Sequence, residues 1–479
     1  MHYSLRAGYW SSLLGACLTL TSSLALSQSD SATTDLLRPD QPRPTPVTRP
    51  EMKKMLEDMK GRKERFPLPP LTEEETKNPD PRTQSYEGRL TRAYLGDTPG
   101  ARGYLNFSGS ARRTTTTPND RPPQEEDPKV TLDYGFKTKL FWIASRANNC
   151  QYCLGHQESK LLAVGMQEDQ LAALDADWSQ FSDAEQAAFA FARRLTLEPH
   201  RLSDEDIQRC RKYYTDLQIL EMALSVGGNN AINRWKEGSG VPQSSTGGNF
   251  GGASGGNSHS YLTETNPVWA TKASKVIRQG AVKKGESMVP TLADPRDAMS
   301  VRDGLSACKV RTARLPVPSQ EDAKAVFGDQ VSSSDAIPGW IRLLANFPVA
   351  GKRQLTAFQS ADKLPLSDTL KGQVAWVIAR QNGAWYSLSE SQSRLKKAGM
   401  KDDQIGKLDT LQPMDFDPAT YSLLVVAKNL AASPVTLTDQ QVEEALRQTN
   451  PATVIQVVHY TAMRSLFDRY TEAAGLPSD

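Results

Sequence analysis

Residues 139–166 read KLFWIASRANNCQYCLGHQESKLLAVGM, and residues 373–400 read QVAWVIARQNGAWYSLSESQSRLKKAGM. The second stretch repeats the first at a constant spacing, which is far longer than the repeat of a solenoid and therefore indicates a duplicated domain. Residues identical in the two stretches include Trp142 and Trp376, Arg146 and Arg380, Asn148 and Asn382, Tyr152 and Tyr386, and Gly165-Met166 and Gly399-Met400.

The similarity continues on both sides of these stretches. Arg65-Phe-Pro-Leu-Pro69 resembles Arg314-Leu-Pro-Val-Pro318, and Asn106-Phe107 resembles Asn346-Phe347. After a slip of one residue, Leu195, Pro199, Leu202 and Asp204 correspond to Leu430, Pro434, Leu437 and Asp439. The order agrees over most of two domains, so we predict that these domains pack together as a pseudo-dimer.

The hydrophobic pattern is helical throughout both copies. Leu140, Ile143, Ala144 and Ala147 recur at the spacing of one helix face. Ser182-x-x-Glu185, Ser203-x-x-Asp206 and Thr438-x-x-Gln441 are typical of capping boxes that begin a helix. No stretch alternates in the manner of a strand. The predicted fold class is all-α.

Composition divides the chain into five parts. Residues rich in Pro and charge precede the first repeat, with one short amphipathic candidate at Glu51–Lys60, and a Gly/Ser/Asn-rich stretch separates the repeats. The predicted parts are a signal peptide at 1–27, a mostly disordered spacer at 28–78, a first domain at 79–237, a linker at 238–262 and a degenerate second domain at 263–479.

The N-terminus has the layout of a secretory signal. Arg6 precedes a mostly apolar run from Ala7 to Leu26, and Ala25-Leu26-Ser27 offers a cleavage site with small residues. We therefore expect export to a periplasmic or extracellular location. Leu14-Gly15-Ala16-Cys17 also resembles a lipobox, and the alternative is a protein anchored by a lipid on Cys17; an uncleaved membrane helix is the third option.

Bulk composition excludes some classes of partner. A net charge of +2 over 479 residues predicts no attraction to nucleic acid. Five cysteines are too few and too scattered to form a disulfide scaffold. Nothing in the composition calls for a cofactor or a metal.

Two thiols and an imidazole lie close together in the first repeat, at Cys150, Cys153 and His156. Their spacing brings them near one helix face, where one sulfur can attack a substrate and the other can close a disulfide. In the second repeat the corresponding residues are Ala384, Ser387 and Glu390. Scaffold positions persist while chemical positions are lost, so we expect the second repeat to be catalytically silent.

A helix break should precede the thiols. Asn148-Asn149 suits a helix terminus, and a new helix there would place both cysteines in its first turn, where free N–H groups favour a thiolate. His156 follows Cys153 by three residues and can manage its proton. These positions favour Cys153 as the nucleophile and Cys150 as the resolving thiol.

The Asn-x-Cys-x-Tyr-Cys-x-x-His pattern resembles the core of the AhpD-like alkylhydroperoxidase family, within the carboxymuconolactone decarboxylase superfamily. The resemblance implies an all-helical unit that forms homo-oligomers and reduces peroxides with thiols. It also implies that Cys153 is peroxidatic and that Cys150 resolves. The family's relay glutamate would correspond to Thr138 here.

Glu221 is the candidate replacement for that relay. Leu217, Leu220 and Leu224 form an apolar stripe around it, and a carboxylate on a buried stripe can shuttle protons. The second repeat has Gln456 at this position. The alternative is a structural glutamate paired with an arginine.

The predicted function is a thiol-dependent peroxidase whose partners are a hydroperoxide and an external dithiol or protein reductant. One alternative is an oxidoreductase that exchanges disulfides with proteins. Another is a non-enzymatic helical scaffold with a structural disulfide. Zinc bound by the two thiols and His156 would need a fourth ligand, such as His200 or Cys210.

Overall fold

The computed structural model describes residues 39–77, 85–96, 103–108, 125–242, 260–278, 301–331 and 336–478. The predicted signal peptide, with Cys17, lies outside them. The α-helices are α1 Arg49–Asp58, α2 Glu73–Lys77, α3 Tyr86–Leu95, α4 Tyr134–Asn148, α5 Gln151–Ala163, α6 Glu168–Ala176, α7 Asp183–Leu197, α8 Asp204–Arg211, α9 Asp216–Ser239, α10 Pro267–Ala270, α11 Val301–Val310, α12 Gln320–Phe327, α13 Gly339–Leu344, α14 Ala350–Asp362, α15 Asp368–Asn382, α16 Trp385–Lys397, α17 Asp402–Thr410, α18 Pro418–Ala431, α19 Asp439–Gln448 and α20 Pro451–Ala473. Short 3-10 helices lie at Met59–Gly61, Gly103–Leu105, Trp178–Gln180, Pro199–Arg201, Gly328–Gln330 and Pro413–Asp415.

The all-α prediction is confirmed. One isolated β-bridge joins Thr48 and Ala273, and the described ranges contain no strand. None of the helices in these ranges is both long and apolar enough to cross a membrane.

The six helices from α4 to α9 recur in the same order as α15 to α20. The matched pairs have nearly equal lengths, from 15 residues each in α4 and α15 to 24 and 23 in α9 and α20. The three predicted capping boxes are present at Ser182, Ser203 and Thr438. Gly165 and Gly399 both adopt a positive φ after α5 and α16, with angles of 92° and 88°, which explains why both repeats have glycine there.

The long helices α9 and α20 pack against each other through small residues. A Cβ atom at Gly238 would lie only 2.5 Å from Cγ1 of Val458, and one at Gly227 would lie 3.3 Å from the backbone oxygen of Leu466. Glycine at these positions therefore allows the helices of the two repeats to approach closely.

An arginine in each long helix donates hydrogen bonds to the other repeat, and the two arginines occupy matched positions. The Arg234 guanidinium donates to the carbonyl oxygens of Ala431 and Ala432 at 3.0 and 3.2 Å. Arg469, the matched residue of α20, donates to the carbonyl of Thr196 at 2.9 Å, and Thr196 is the counterpart of Ala431. Each repeat thus satisfies the carbonyls that end a helix of the other.

A second pair of contacts shows the same exchange. Arg65, before the first repeat, pairs with Asp439 of the second, and Arg314 pairs with Asp204 of the first at 2.6 Å. Because Arg65 corresponds to Arg314 and Asp204 to Asp439, the two repeats are related by an approximate twofold axis within one chain.

Helix α1 of the segment 39–77 packs against the rest of the chain, so the prediction of a mostly disordered spacer is wrong for α1, whereas α2 has no buried residue. Met52 and Leu56 of α1 are buried, as the amphipathic candidate at Glu51–Lys60 suggested. The buried Arg49 donates to Glu158 at 3.1 Å and to Glu168 at 2.9 Å. Arg49, one of the charged residues that suggested disorder, is thus paired with carboxylates of the first repeat.

A buried histidine makes stability depend on pH. Burial lowers the pKa of His459 to about 4, and the ring contacts the Tyr104 hydroxyl and packs edge-on against Trp235. An unfolded histidine titrates near 6.5, so between these values the unfolded chain binds more protons and stability falls as the pH falls. The loss should approach about 3 kcal/mol at the acid end. Denaturant titrations at pH 7 and pH 4.5 should show a smaller difference for His459→Gln than for the parent, and equal differences would contradict this assignment.

Candidate functional site

The thiols lie at the break between α4 and α5, as predicted. Helix α4 ends at Asn148, and Asn149 takes the left-handed conformation with φ 59° and ψ 35°. Cys150 is the N-cap of α5 with φ −86° and ψ 92°, which places Cys153 in the first turn. The two sulfurs lie 2.7 Å apart as free thiols, and both residues are buried. They are close enough to share one proton or to join as a disulfide.

A network of amides fixes the backbone at this break. The Asn148 side chain donates to the side-chain oxygens of Asn230 and Asn233 on α9, at 2.9 Å each. Its own oxygen accepts from the Ser433 hydroxyl of the second repeat at 2.8 Å. The Asn149 amide donates to the carbonyl of Pro44 at 3.1 Å. The thiol position therefore depends on both repeats and on the N-terminal segment.

Cys150 lies among guanidinium groups. Burial raises the pKa of its thiol, but hydrogen bonds with the Cys153 thiol and backbone and the positive charges of Arg43 and Arg62 more than offset burial. Arg43 itself donates to the neighbouring Gln151 side chain at 3.1 Å. The pKa of Cys150 is therefore lowered, so Cys150 loses its proton before Cys153 does.

Cys153 has a different environment. Burial, the hydrogen bond with Cys150 and the charge on Cys150 raise the pKa of the Cys153 thiol, and Lys236 and a hydrogen bond with Asn233 oppose this only in part. Lys236 pairs with Glu87 at 2.6 Å and lies 4.1 Å from the centre of the Tyr152 ring. Cys153 is thus the weaker acid of the two thiols, the reverse of what the expectation of a Cys153 thiolate assumed.

His156 is not a cation at neutral pH. Burial, followed by the charges of Lys160 and Lys236, lowers the pKa of its imidazole to about 3, and the ring stacks on Tyr152 with centroids 5.9 Å apart. At this pKa the imidazole is a weak base, which disfavours the expected role of His156 in managing the proton of Cys153. Lys236 and the arginines near Cys150 supply the positive charge instead.

Glu221 holds a loop, and it is not beside the thiols. Its carboxylate accepts from the backbone N–H groups of Thr131 at 2.8 Å and Leu132 at 3.1 Å, and it pairs with Lys137 at 2.8 Å. Asn233, which contacts Cys153, lies three helical turns further along α9, about 18 Å at the rise of an α-helix. The predicted relay role is wrong because the apolar stripe around Glu221 fixes burial but not distance. The alternative of a structural glutamate agrees better with these contacts, although the paired residue is Lys137 and not an arginine.

The corresponding position in the second repeat is filled by charged side chains. Arg464 donates to the Ser387 hydroxyl at 2.5 Å and pairs with Glu390 at 2.7 Å. Asn382 donates to Asp468 at 2.7 Å, as Asn148 does to the matched Asn233. Ala384 removes the remaining thiol position. The backbone arrangement around the break is thus common to both repeats, and of the two only the first has a pair of thiols there.

Sequence reasoning missed the cations of this site. Arg43 and Arg62 come from the segment that was predicted to be disordered, so no local pattern linked them to the thiols. Lys236 did carry a signal, because it shares a face of α9 with Asn233 and the second repeat has Thr471 in its place.

The other candidate metal ligands do not join the thiols. Burial raises the pKa of Cys210 to about 12, and its sulfur lies 3.8 Å from the Ala187 carbonyl. Within the described part of the chain, no group of three or more His, Cys, Asp and Glu side chains is placed to hold a metal ion.

Comparisons with known proteins give only distant similarity. No family model and no curated protein matches the sequence. Among solved structures, the chain is similar to the debrominase Bmp8 in its apo form, with 16% identity, a TM-score of 0.29, and coverage of 34% of this chain and 87% of that one. A variant of Bmp8 in complex with 2,3,4-tribromopyrrole gives 16% identity and a TM-score of 0.29, with coverage of 33% and 83%. Similarity at this level does not assign a family.

Proposed function

We propose that this protein is a thiol-dependent hydroperoxide reductase of the AhpD-like kind, with Cys150 and Cys153 as its redox pair. The observation that carries the proposal is the pair itself: two free sulfurs 2.7 Å apart at a helix N-terminus, with opposite pKa shifts. A dithiol whose two sulfurs differ in pKa can hold one charged sulfur next to one protonated sulfur, as both halves of a redox cycle require.

In the first half of the cycle Cys153 attacks the terminal oxygen of the hydroperoxide. The Cys150 thiolate takes the proton of Cys153 across the short sulfur–sulfur distance, and a new S–O bond forms as the O–O bond breaks. The alkoxide that leaves takes a proton from water to give an alcohol. Cys153 is now a sulfenic acid and Cys150 is a thiol.

In the second half Cys150 attacks the sulfenic sulfur. A disulfide forms and the hydroxyl of the sulfenic acid leaves as water with the proton of Cys150. An external dithiol then reduces the disulfide and is itself oxidised. Asn148 and Asn149 keep the helix terminus in place through both steps.

Burial of the pair favours a small oxidant over a protein disulfide. Cys150 and Cys153 are only 0% and 2% exposed. Arg43 and Met55 both contact the side chain of Gln151 and so cover the first turn of α5. Exchange with a protein would require a sulfur of the partner to reach a covered sulfur. A hydroperoxide is small enough to diffuse to it.

Peroxide-dependent consumption of a dithiol tests the function directly. The parent should consume dithiol only when hydroperoxide is present, and Cys150→Ser/Cys153→Ser should not. Ser387→Cys added to that double variant should restore nothing, because Ala384 and Glu390 leave the second site without a partner thiol or an imidazole. Equal consumption by parent and double variant would overturn the proposal.

The reduction potential of the pair separates the enzyme from the scaffold with a structural disulfide. A structural disulfide should have a potential below about −300 mV, whereas a catalytic pair is reduced more readily. Equilibration with defined dithiol buffers gives this value, and a strongly negative result would favour the scaffold.

We also propose that the protein is exported and acts as a homo-oligomer. The layout of residues 1–27 supports export, and mass spectrometry of the mature N-terminus distinguishes cleavage before Gln28 from lipidation at Cys17. A chain that retains Met1 in the cytosol would contradict export. Sedimentation of the purified protein measures the oligomeric state, and a monomer at all concentrations would contradict the second part.

A further inference from the structure

Two polar side chains of α9, one and two helical turns before Asn233, are buried with no hydrogen-bond partner in the described part of the structure. The unpartnered atoms are Nδ2 and Oδ1 of Asn229 and the hydroxyl oxygen of Ser225, and both residues are 0% exposed. A buried amide without a partner costs about 1–3 kcal/mol, so the group requires a partner that enters the site, such as a water molecule or a ligand.

The helical spacing places these side chains on the face of α9 that also has Asn233 and Lys236. Ser225, Asn229 and Asn233 follow each other at intervals of four residues, and Lys236 follows three residues later, so all four share one face of α9. The last two, Asn233 and Lys236, both act on Cys153. The same face therefore continues from Cys153 toward Asn229 and Ser225.

The second repeat provides an independent observation about what a side chain at the position of Asn229 can reach. Arg464 corresponds to Asn229, and it reaches the Ser387 hydroxyl that corresponds to the Cys153 sulfur, at 2.5 Å. Tyr460 corresponds to Ser225 and interacts electrostatically with Arg464 and Glu390. In the silent repeat, two long side chains thus occupy the space next to the redox position.

We propose that Ser225 and Asn229 line the peroxide-binding pocket of the first repeat, and that Asn229 donates a hydrogen bond to the leaving oxygen of an uncharged organic hydroperoxide. The inference rests on the proposed function and assigns its substrate site. Ser225 and Asn229 are shorter than Tyr460 and Arg464, the matched residues of the silent repeat, and we assign the difference in side-chain volume to an organic substituent. Lys236, which lies on this face, is already paired with Glu87.

The role of Asn229 follows from where charge develops. When Cys153 attacks the terminal oxygen, the O–O bond breaks and negative charge grows on the oxygen that carries the organic group. An amide N–H held in place by a buried helix stabilises this charge without reorganisation. The alkoxide then takes a proton from water, and Asn229 returns unchanged.

The test measures sulfenic acid formation in the reduced protein with cumene hydroperoxide, next to alkylation of the same thiols by iodoacetamide. Asn229→Ala and the equally large Asn229→Asp should slow the peroxide reaction by about tenfold to a hundredfold, since both lack the donor. Asn229→Ala should keep the alkylation rate, because alkylation does not need that hydrogen bond. Thr461→Val, which removes another buried hydroxyl without a partner from the silent repeat, should change neither rate.

Substrate size supplies a second measurement. Ser225→Tyr places the side chain of the silent repeat in the pocket. It should therefore slow the reaction with cumene hydroperoxide more than the reaction with hydrogen peroxide. An unchanged ratio of the two rates, or a peroxide reaction of Asn229→Ala as fast as that of a reactive parent, would overturn this inference alone. A parent that reacts with neither peroxide would overturn the proposed function as well, and circular dichroism of each variant shows that it is folded.

Discussion

Replacing Cys153 with serine is expected to reduce peroxide-dependent turnover by at least about a thousandfold, because the attacking sulfur is lost and no other group can form the S–O bond. Cys150→Ser should also stop turnover, but for a different reason. It should still react once with peroxide, more slowly than the parent, because the thiolate that accepts the proton of Cys153 is missing.

Cys210 offers a matched control for these variants. It is buried like Cys150 and Cys153, and its raised pKa of about 12 makes it a poor nucleophile. Cys210→Ser should therefore retain the turnover of the parent. Steady-state assays of the three variants measure these effects, and full turnover in Cys153→Ser would refute its role.

The second large effect concerns stability. Arg234→Met should lower the free energy of unfolding by about 3 kcal/mol or more, because it leaves the carbonyls of Ala431 and Ala432 buried without donors and removes a hydrogen bond to Ser433. The matched Arg469→Met should behave similarly, since Arg469 serves Thr196 in the same way.

A control separates this effect from the general loss of an arginine. The Arg447 side chain is 70% exposed and pairs only with Glu444 within its own helix, so Arg447→Met should cost less than about 0.5 kcal/mol. Denaturant unfolding measures all three variants. If Arg234→Met were no more costly than Arg447→Met, the contacts between the repeats would not contribute to stability as described.

The fold was largely predictable because its signals are local. Helical periodicity, the capping boxes at Ser182 and Ser203 and the break at Asn148-Asn149 depend on residues within one or two turns of each other. The internal repeat added a comparison that separated scaffold from chemistry. Trp142 and Trp376, present in both repeats, are both buried core residues.

The electrostatics of the site could not be predicted from the same signals. The lowered pKa of Cys150 depends on Arg43 and Arg62, which approach only because residues 39–77 fold over the first repeat. The neutral state of His156 depends on burial and on Lys236, which lies on another helix. Long-range packing decides such contacts, and a single sequence does not display it.

Glu221 is a second case in which the sequence predicts burial but not the contacts of the side chain. Its apolar neighbours predicted burial correctly, and it is fully buried. Burial alone did not show which groups face the carboxylate, and these are Lys137 and the amides of Thr131 and Leu132. A buried glutamate is as well suited to holding a loop as to moving a proton.

The position of the first oxidised sulfur tests the central claim most directly. Reduced Cys150→Ser and Cys153→Ser are each treated with one equivalent of hydroperoxide, and the sulfenic acid is trapped with a dimedone reagent and located by mass spectrometry. The account predicts labelling of Cys153 in Cys150→Ser and none of Cys150 in Cys153→Ser. Labelling of Cys150 in Cys153→Ser at the rate of the parent would contradict it and would make the thiolate at the helix N-cap the attacking group.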